Sequence, residues 1–166
     1  MNKEFLLEND SFRLSLIFNV YESDILYSTN TILSVAVTSA QFSASATMDI
    51  DIKDIQDFCN NLKHIYDCFA GTAKIQEPYG DKQYILFSSD KYGHVTVSGY
   101  LNSNGVNNFW LELKFENSID QTHLLTLFDG LNDFLKQIHL ASSNQLFGNL
   151  FVAKFNYETY LFHSKT

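Results

Sequence analysis

The sequence predicts an α+β fold: antiparallel strands with two amphipathic helices, at about 51–70 and 119–139, packed on a meander sheet. Three observations predict it. Apolar and polar residues alternate over several short stretches, as half-buried strands require. Twice the apolar period lengthens from two to 3.6, which places residues on one stripe of a helix. The connections are short, and one proline and seven glycines leave little material for a linker. A single domain over 1–166 is expected, with 140–166 a C-terminal extension.

The first strand signal is "SFRLSLIFNV", where Phe12, Leu14, Leu16, Phe18 and Val20 alternate with Arg13, Ser15 and Asn19. "TILSVAVTS" and "QFSASATMDI" follow. The first places Leu33, Val35 and Val37 on one face, and the second places Phe42, Ala44, Ala46, Met48 and Ile50 on one face. A turn near Ser39 to Gln41 would pair them as a hairpin. From Asp51 the residues Ile52, Ile55, Phe58, Cys59, Leu62, Ile65, Tyr66 and Phe69 share an arc of about 120° at 100° per residue. Asp49 or Asp51 can cap its start, and Gly71 stands where a left-handed C-terminal cap is wanted.

Strand patterns resume in "TAKIQE", "QYILFSS", "GHVTVSGYL" and "FWLELKFEN". In the last, Phe109, Leu111, Leu113 and Phe115 alternate with Trp110, Glu112, Lys114 and Glu116. Short links favour an antiparallel meander. Leu124, Leu127, Phe128, Leu131, Phe134, Leu135 and Ile138 then form the stripe of the second helix. After "ASSNQ", alternation of Phe151, Ala153, Phe155, Tyr157, Thr159 and Leu161 suggests a final strand.

Acidic residues outnumber basic ones 19 to 11, for a formal charge of −8 and a pI near 4.9. Phosphate neutralisation drives nucleic-acid binding and needs a basic stripe, which this chain lacks. No nucleic acid is expected as a partner. The start "MNKEFLLENDSF" has neither the apolar run nor the cleavage site of a secretion signal. No stretch approaches the roughly 18 apolar residues of a membrane helix, so no membrane partner is expected either. Cys59 and Cys68 point to opposite sides of one helix and cannot bridge within it. A reduced, cytoplasmic protein is the simplest expectation.

The stretch "KFENSIDQTHLL" gathers Glu116, Asp120 and His123. Ser118 with Gln121 three residues on reads as a capping box, and Asp120 in the first turn suits the positive end of the helix dipole. That account needs no chemistry. "DIDIKD" fails as a calcium loop, because Lys53 and Asp54 stand where an oxygen ligand and Gly are required. It reads instead as a strand end and an acidic helix start. No nucleotide, hydrolase or zinc signature is present, and the five histidines show no metal-ligand spacing, so no metal, cofactor or catalytic residue is assigned. Cys59 belongs to the apolar arc. Cys68 is on the polar side, with nothing read as activating it.

One pattern leans towards binding. Asp54, Asp57, Asn61 and His64 share the helix face opposite the core arc, with Asp49 and Asp51 at its head. Asp129 and Asp133 stand one turn apart on the second helix; like charges at this spacing cost a few tenths of a kcal/mol, so helix stability does not explain them. A solvated face is the ordinary alternative.

The order "DIQDFCNNLKHIYDCFAGTAKIQE", "GHVTVSGYL", "LELKFENSIDQTHLLTLFDGLNDFL" resembles the WapI-type immunity proteins of bacterial polymorphic toxin systems. The likeness rests on the "DF..NL..IY" helix, Glu77 ending a strand, Gly93 and His94 opening one, and the "F-E-x-x-x-D-Q-T-x-L" run, and it covers roughly 12–139. The tail after Leu140 lies outside the pattern, and no tryptophan stands near Ile32 or Leu33.

The resemblance implies a cytoplasmic, non-enzymatic antidote that binds a cognate toxin domain, often a nuclease. An acidic inhibitor suits a basic partner electrostatically. The expected toxin-binding residues are Asp49, Asp51, Asp54, Asp57, Asn61 and His64, on a monomer or weak homodimer. Two alternatives stand beside this. One is a small enzyme with a site assembled from His94, Glu77 and His123. The other is a homo-oligomeric structural or assembly subunit using Trp110 and Tyr100.

Overall fold

A computed structural model describes residues 1–25, 27–80, 82–104 and 109–141. Four strands and a helix occur twice in succession. The first half comprises β1 (Asn2–Glu8), β2 (Phe12–Val20), β3 (Thr31–Ser39), β4 (Phe42–Ile50) and α1 (Ile52–Cys68). The second comprises β5 (Gly71–Gln76), β6 (Tyr84–Ser89), β7 (Val95–Asn104), β8 (Trp110–Ile119) and α2, which occupies 122–141 of the described residues. Each set of strands forms its own antiparallel sheet in sequence order. The expected α+β class is therefore met, with two sheets.

Each helix packs on the sheet of the other half. On α1, Phe58 meets Phe87 of β6 edge-on, with ring centres 5.6 Å apart. On α2, Phe134 lies 6.4 Å from both Phe5 of β1 and Phe18 of β2. A Cβ on Gly130 would stand 2.7 Å from the Phe5 ring, so the glycine sets how closely α2 approaches β1. The exchange joins the buried residues of both halves into one core cluster. Burial of such side chains contributes roughly 1.5–3 kcal/mol each.

Local chemistry explains the elements and corrects several expectations. β1 is a strand beyond those the sequence pattern predicts, with Phe5 and Leu7 alternating inward. The α1 start is the expected one, with Asp51 as N-cap. Its end differs. Phe69, not Gly71, takes the left-handed cap at φ 52°, and its N–H donates to the Ile65 carbonyl at 2.9 Å. Gly71 is already in β5.

α2 begins three residues later than expected and runs on through 141. Ser118 is still strand, its carbonyl accepting from Asn9 Nδ2 at 3.2 Å. Asp120 starts the helix instead, accepting from the Thr122 N–H at 2.8 Å, while Gln121 reaches the Tyr66 carbonyl at 3.5 Å. The expected final strand in the tail lies outside the described residues.

Candidate partner-binding surfaces

The head of α1 is tied to the loop before β3 by reciprocal hydrogen bonds. Asn30, 5 % exposed, accepts from the Ile52 N–H at 3.0 Å, one of the four donors a helix start leaves open. Its Nδ2 donates to the Tyr27 carbonyl at 2.9 Å. In return, Asp51 accepts from the Thr29 N–H at 2.6 Å, and Asp54 accepts from the Asp51 N–H at 2.8 Å. Two of the six expected contact residues thus hold the helix start in place. Sequence reading missed Asn30, which lies 22 residues before its helical partner.

The other four are exposed. Asp57, Asn61 and His64 continue the stripe begun by Asp54 along α1. Asp49 points to the outer face of the first sheet, because its neighbours Met48 and Ile50 point into the core. Lys53 and Lys63 share the outer side of α1, and Lys63 pairs with Asp67. The helix face is therefore mixed in charge. Cys68, read from sequence as without an activating neighbour, has His64 Nδ1 3.5 Å from its sulfur one turn back.

The residues of the enzyme alternative are not gathered. Glu77 follows the Gln76–Tyr84 end of the β5–β6 pair, and His94 precedes Val95 at the Ser89 end. Six residues of strand separate those ends, roughly 17–20 Å. His123 starts α2 near the His94 end, since Ile119 pairs with Val95. His94 instead meets Asp90 at 3.0 Å, and that bond holds the exposed Asp90 carboxyl below its usual range. Among the described residues, no three His, Cys, Asp or Glu side chains are placed to hold a metal ion.

Tyr100 and Trp110 meet at one carboxylate. The Tyr100 hydroxyl and the Trp110 Nε1 donate to Glu112 Oε1 at 2.9 and 2.7 Å. These bonds, the tyrosine's first, hold the Glu112 carboxyl below its ordinary value.

A second surface is apolar. Phe42, Phe109 and Leu111 are 70 %, 70 % and 61 % exposed, although the strand pattern placed all three on core faces. Phe42, Ala44, Leu101, Leu111 and Leu113 border a cleft of about 470 Å³ between the start of β4 and the β7–β8 hairpin. Their direction matches the expectation; their coverage does not. The inner faces of both sheets extend past the packed core. Sequence period reveals where a side chain points, but not where the covering element stops.

Fold and surfaces together define an α+β protein of two interlocked halves, with an exposed polar face on α1 and an exposed apolar face at β4 and β8. The sequence matches the immunity protein WapI-like family over residues 5–139. The chain belongs to that family; an immunity function and a cognate toxin partner follow from membership. No curated protein sequence matches it. The fold is similar to that of WHY1 from Arabidopsis thaliana, at TM-score 0.54 and 10 % identity over 93 % of each chain. The structure of the plant transcriptional regulator PBF-2 gives TM-score 0.46 at 8 % identity over 87 % of each chain. At such identities the WHY1 likeness is one of fold alone. No helix among the described residues is long and apolar enough to cross a membrane.

Proposed function

We propose that this protein binds and neutralises a basic cognate toxin domain, of the nuclease type, by direct contact and without catalysis. Family membership across 5–139 is the observation that carries the reading. The net charge of −8 supports it, because acidic surfaces accelerate encounter with a basic partner and occupy positions that phosphates would take. In this reading the contact includes Asp49, Asp51, Asp54, Asp57, Asn61 and His64. Asp57, Asn61 and His64 face the partner directly. Asp51 and Asp54 add charge while holding the helix head.

The test is growth rescue in bacteria expressing the toxin domain encoded beside this protein, followed by binding of the purified pair at two salt concentrations. Rescue with a co-purifying complex is expected. Asp57→Lys, which disturbs no cap, should slow association about tenfold at low salt and flatten the salt dependence. Toxicity unchanged by this protein would remove the reading for that pair. Unchanged binding by Asp57→Lys would move the contact off α1.

A further inference from the structure

The outer face of the second sheet collects cations on aromatic rings. Tyr84, Tyr100 and Lys114 stand side by side in register across β6, β7 and β8, pointing away from the core residues Ile85, Leu101 and Phe115. Lys114 Nζ lies 5.5 Å from the centre of the Tyr100 ring, and Lys74 Nζ lies 4.6 Å from that of Tyr84. The negative face of an aromatic ring attracts such charges. Trp110, on the same outer face of β8, is 45 % exposed, and among the described residues no cation lies over its indole.

Glu112 completes the chemistry. Its Oε1 accepts from the Tyr100 hydroxyl and from Trp110 Nε1, which fixes the carboxylate at the edge of both side chains. Both donors are neutral, so they leave its charge uncompensated, and Lys114 acts on it only at longer range. Among the described residues Oε2 accepts no hydrogen bond. A planar guanidinium fits this arrangement better than a compact ammonium. Stacked on the indole, it can turn its edge N–H groups to the free carboxylate oxygen.

We propose that Trp110, Tyr100 and Glu112 form a receptor for an arginine side chain of the basic toxin partner, stacked on the indole and held by Glu112 Oε2. Charge complementarity with a chain of net charge −8 names this occupant, which rests on the toxin-binding reading; the site itself does not. α1 packs on the opposite face of this sheet, through Phe58 on Phe87. The arginine therefore comes from a segment of the partner that reaches round from the α1 stripe.

The test titrates N-acetyl-arginine amide into the full chain while following the indole N–H resonance of Trp110, the only tryptophan. N-acetyl-citrulline amide is the neutral analogue of nearly the same shape. A saturating shift is expected with arginine, and binding at least about fivefold weaker with citrulline or in Glu112→Gln, which keeps a carbonyl for both donors. Lys114→Gln removes a competing cation and should bind arginine equally well or up to about threefold tighter. With the toxin, Glu112→Gln should speed dissociation about tenfold, measured apart from Asp57→Lys on α1. Equal responses to arginine and citrulline, or full binding by Glu112→Gln, would overturn the site. Arginine binding beside an unchanged toxin complex would overturn the occupant. If the unaltered protein forms no toxin complex, the antidote reading and the occupant fall together, and the arginine titration still decides the site.

Discussion

The ring of Phe115 lies across Gly99, its partner in the β7–β8 register. A Cβ on Gly99 would stand 2.6 Å from that ring and 2.9 Å from the Tyr84 carbonyl oxygen on the next strand. Glycine usually weakens a strand, but here the ring fills the space its absent side chain leaves. Gly99→Ala should cost about 1–3 kcal/mol by overpacking, measured as a lower urea midpoint. Adding Phe115→Leu should recover only part of that loss, since the carbonyl contact remains. A midpoint unmoved by Gly99→Ala would show that the ring and strand yield freely.

Asn30 should matter more to stability than any acid of the α1 stripe. Asn30→Ala leaves the Ile52 and Tyr27 groups without their buried partner, for an expected loss of about 2 kcal/mol. Asp57→Lys, on the exposed face, should change stability by less than about 0.5 kcal/mol. Thermal melts of the two variants compare them directly. The same ranking makes Asp57 a cleaner probe of toxin contact than Asp54, whose replacement also removes the bond to the Asp51 N–H.

Trp110 is the only tryptophan, so its fluorescence reports on Glu112. Hydrogen bonds from Tyr100 and Trp110 depress the carboxyl's folded value below 4.5. The sign follows from linkage: stabilisation from the depressed acid is present above its unfolded value and lost as pH falls through the lower folded value. An acid titration should therefore show a Trp110 emission change with a midpoint below 4.5. In Tyr100→Phe the midpoint should rise towards 4.5. A midpoint indifferent to that substitution would separate the signal from this pair.

The two thiols should differ sharply in reactivity. Burial, with Asp129 adding to it, pushes the Cys59 thiol up to about 11, so it stays protonated and inert near neutrality. Cys68 is exposed. Native protein should consume one equivalent of a thiol reagent quickly, at Cys68, and a second only on unfolding. Because Cys59 is raised, its contribution to stability is complete below the ordinary thiol value and declines as pH rises towards 11. Fast labelling of Cys59 in the folded protein would contradict this.

Phe69 holds a left-handed backbone conformation that costs a bulky residue about 1 kcal/mol. Its ring lies against Gly93, where a Cβ would come within 3.3 Å. Phe69→Gly relieves the backbone and gives up a half-exposed ring. A net gain of up to about 1 kcal/mol in denaturant melts is expected. A loss instead would mean that the ring contact outweighs the strain.

The sequence by itself determined the elements whose signals are local. Alternation placed β2, β3, β4 and the strands of the second sheet, and the 3.6-residue stripe placed α1, because side-chain direction follows from backbone period alone. It also determined that Glu116, Asp120 and His123 mark a strand-to-helix junction, although the cap proved to be Asp120 rather than Ser118. β1 escapes the alternation pattern because its inward Phe5 and Leu7 are separated by an equally apolar Leu6, which points outward. Tertiary structure alone decided how far each inward face is covered: Met48 is sealed while Phe42, on the same face of β4, is open. It also decided that each helix crosses to the other sheet, that Asn30 caps a helix 22 residues away, and that Glu77 stands a strand's length from His94. Coverage, crossing and long-range hydrogen bonds depend on where separate elements meet, and the periodicity within one segment carries no record of its neighbours.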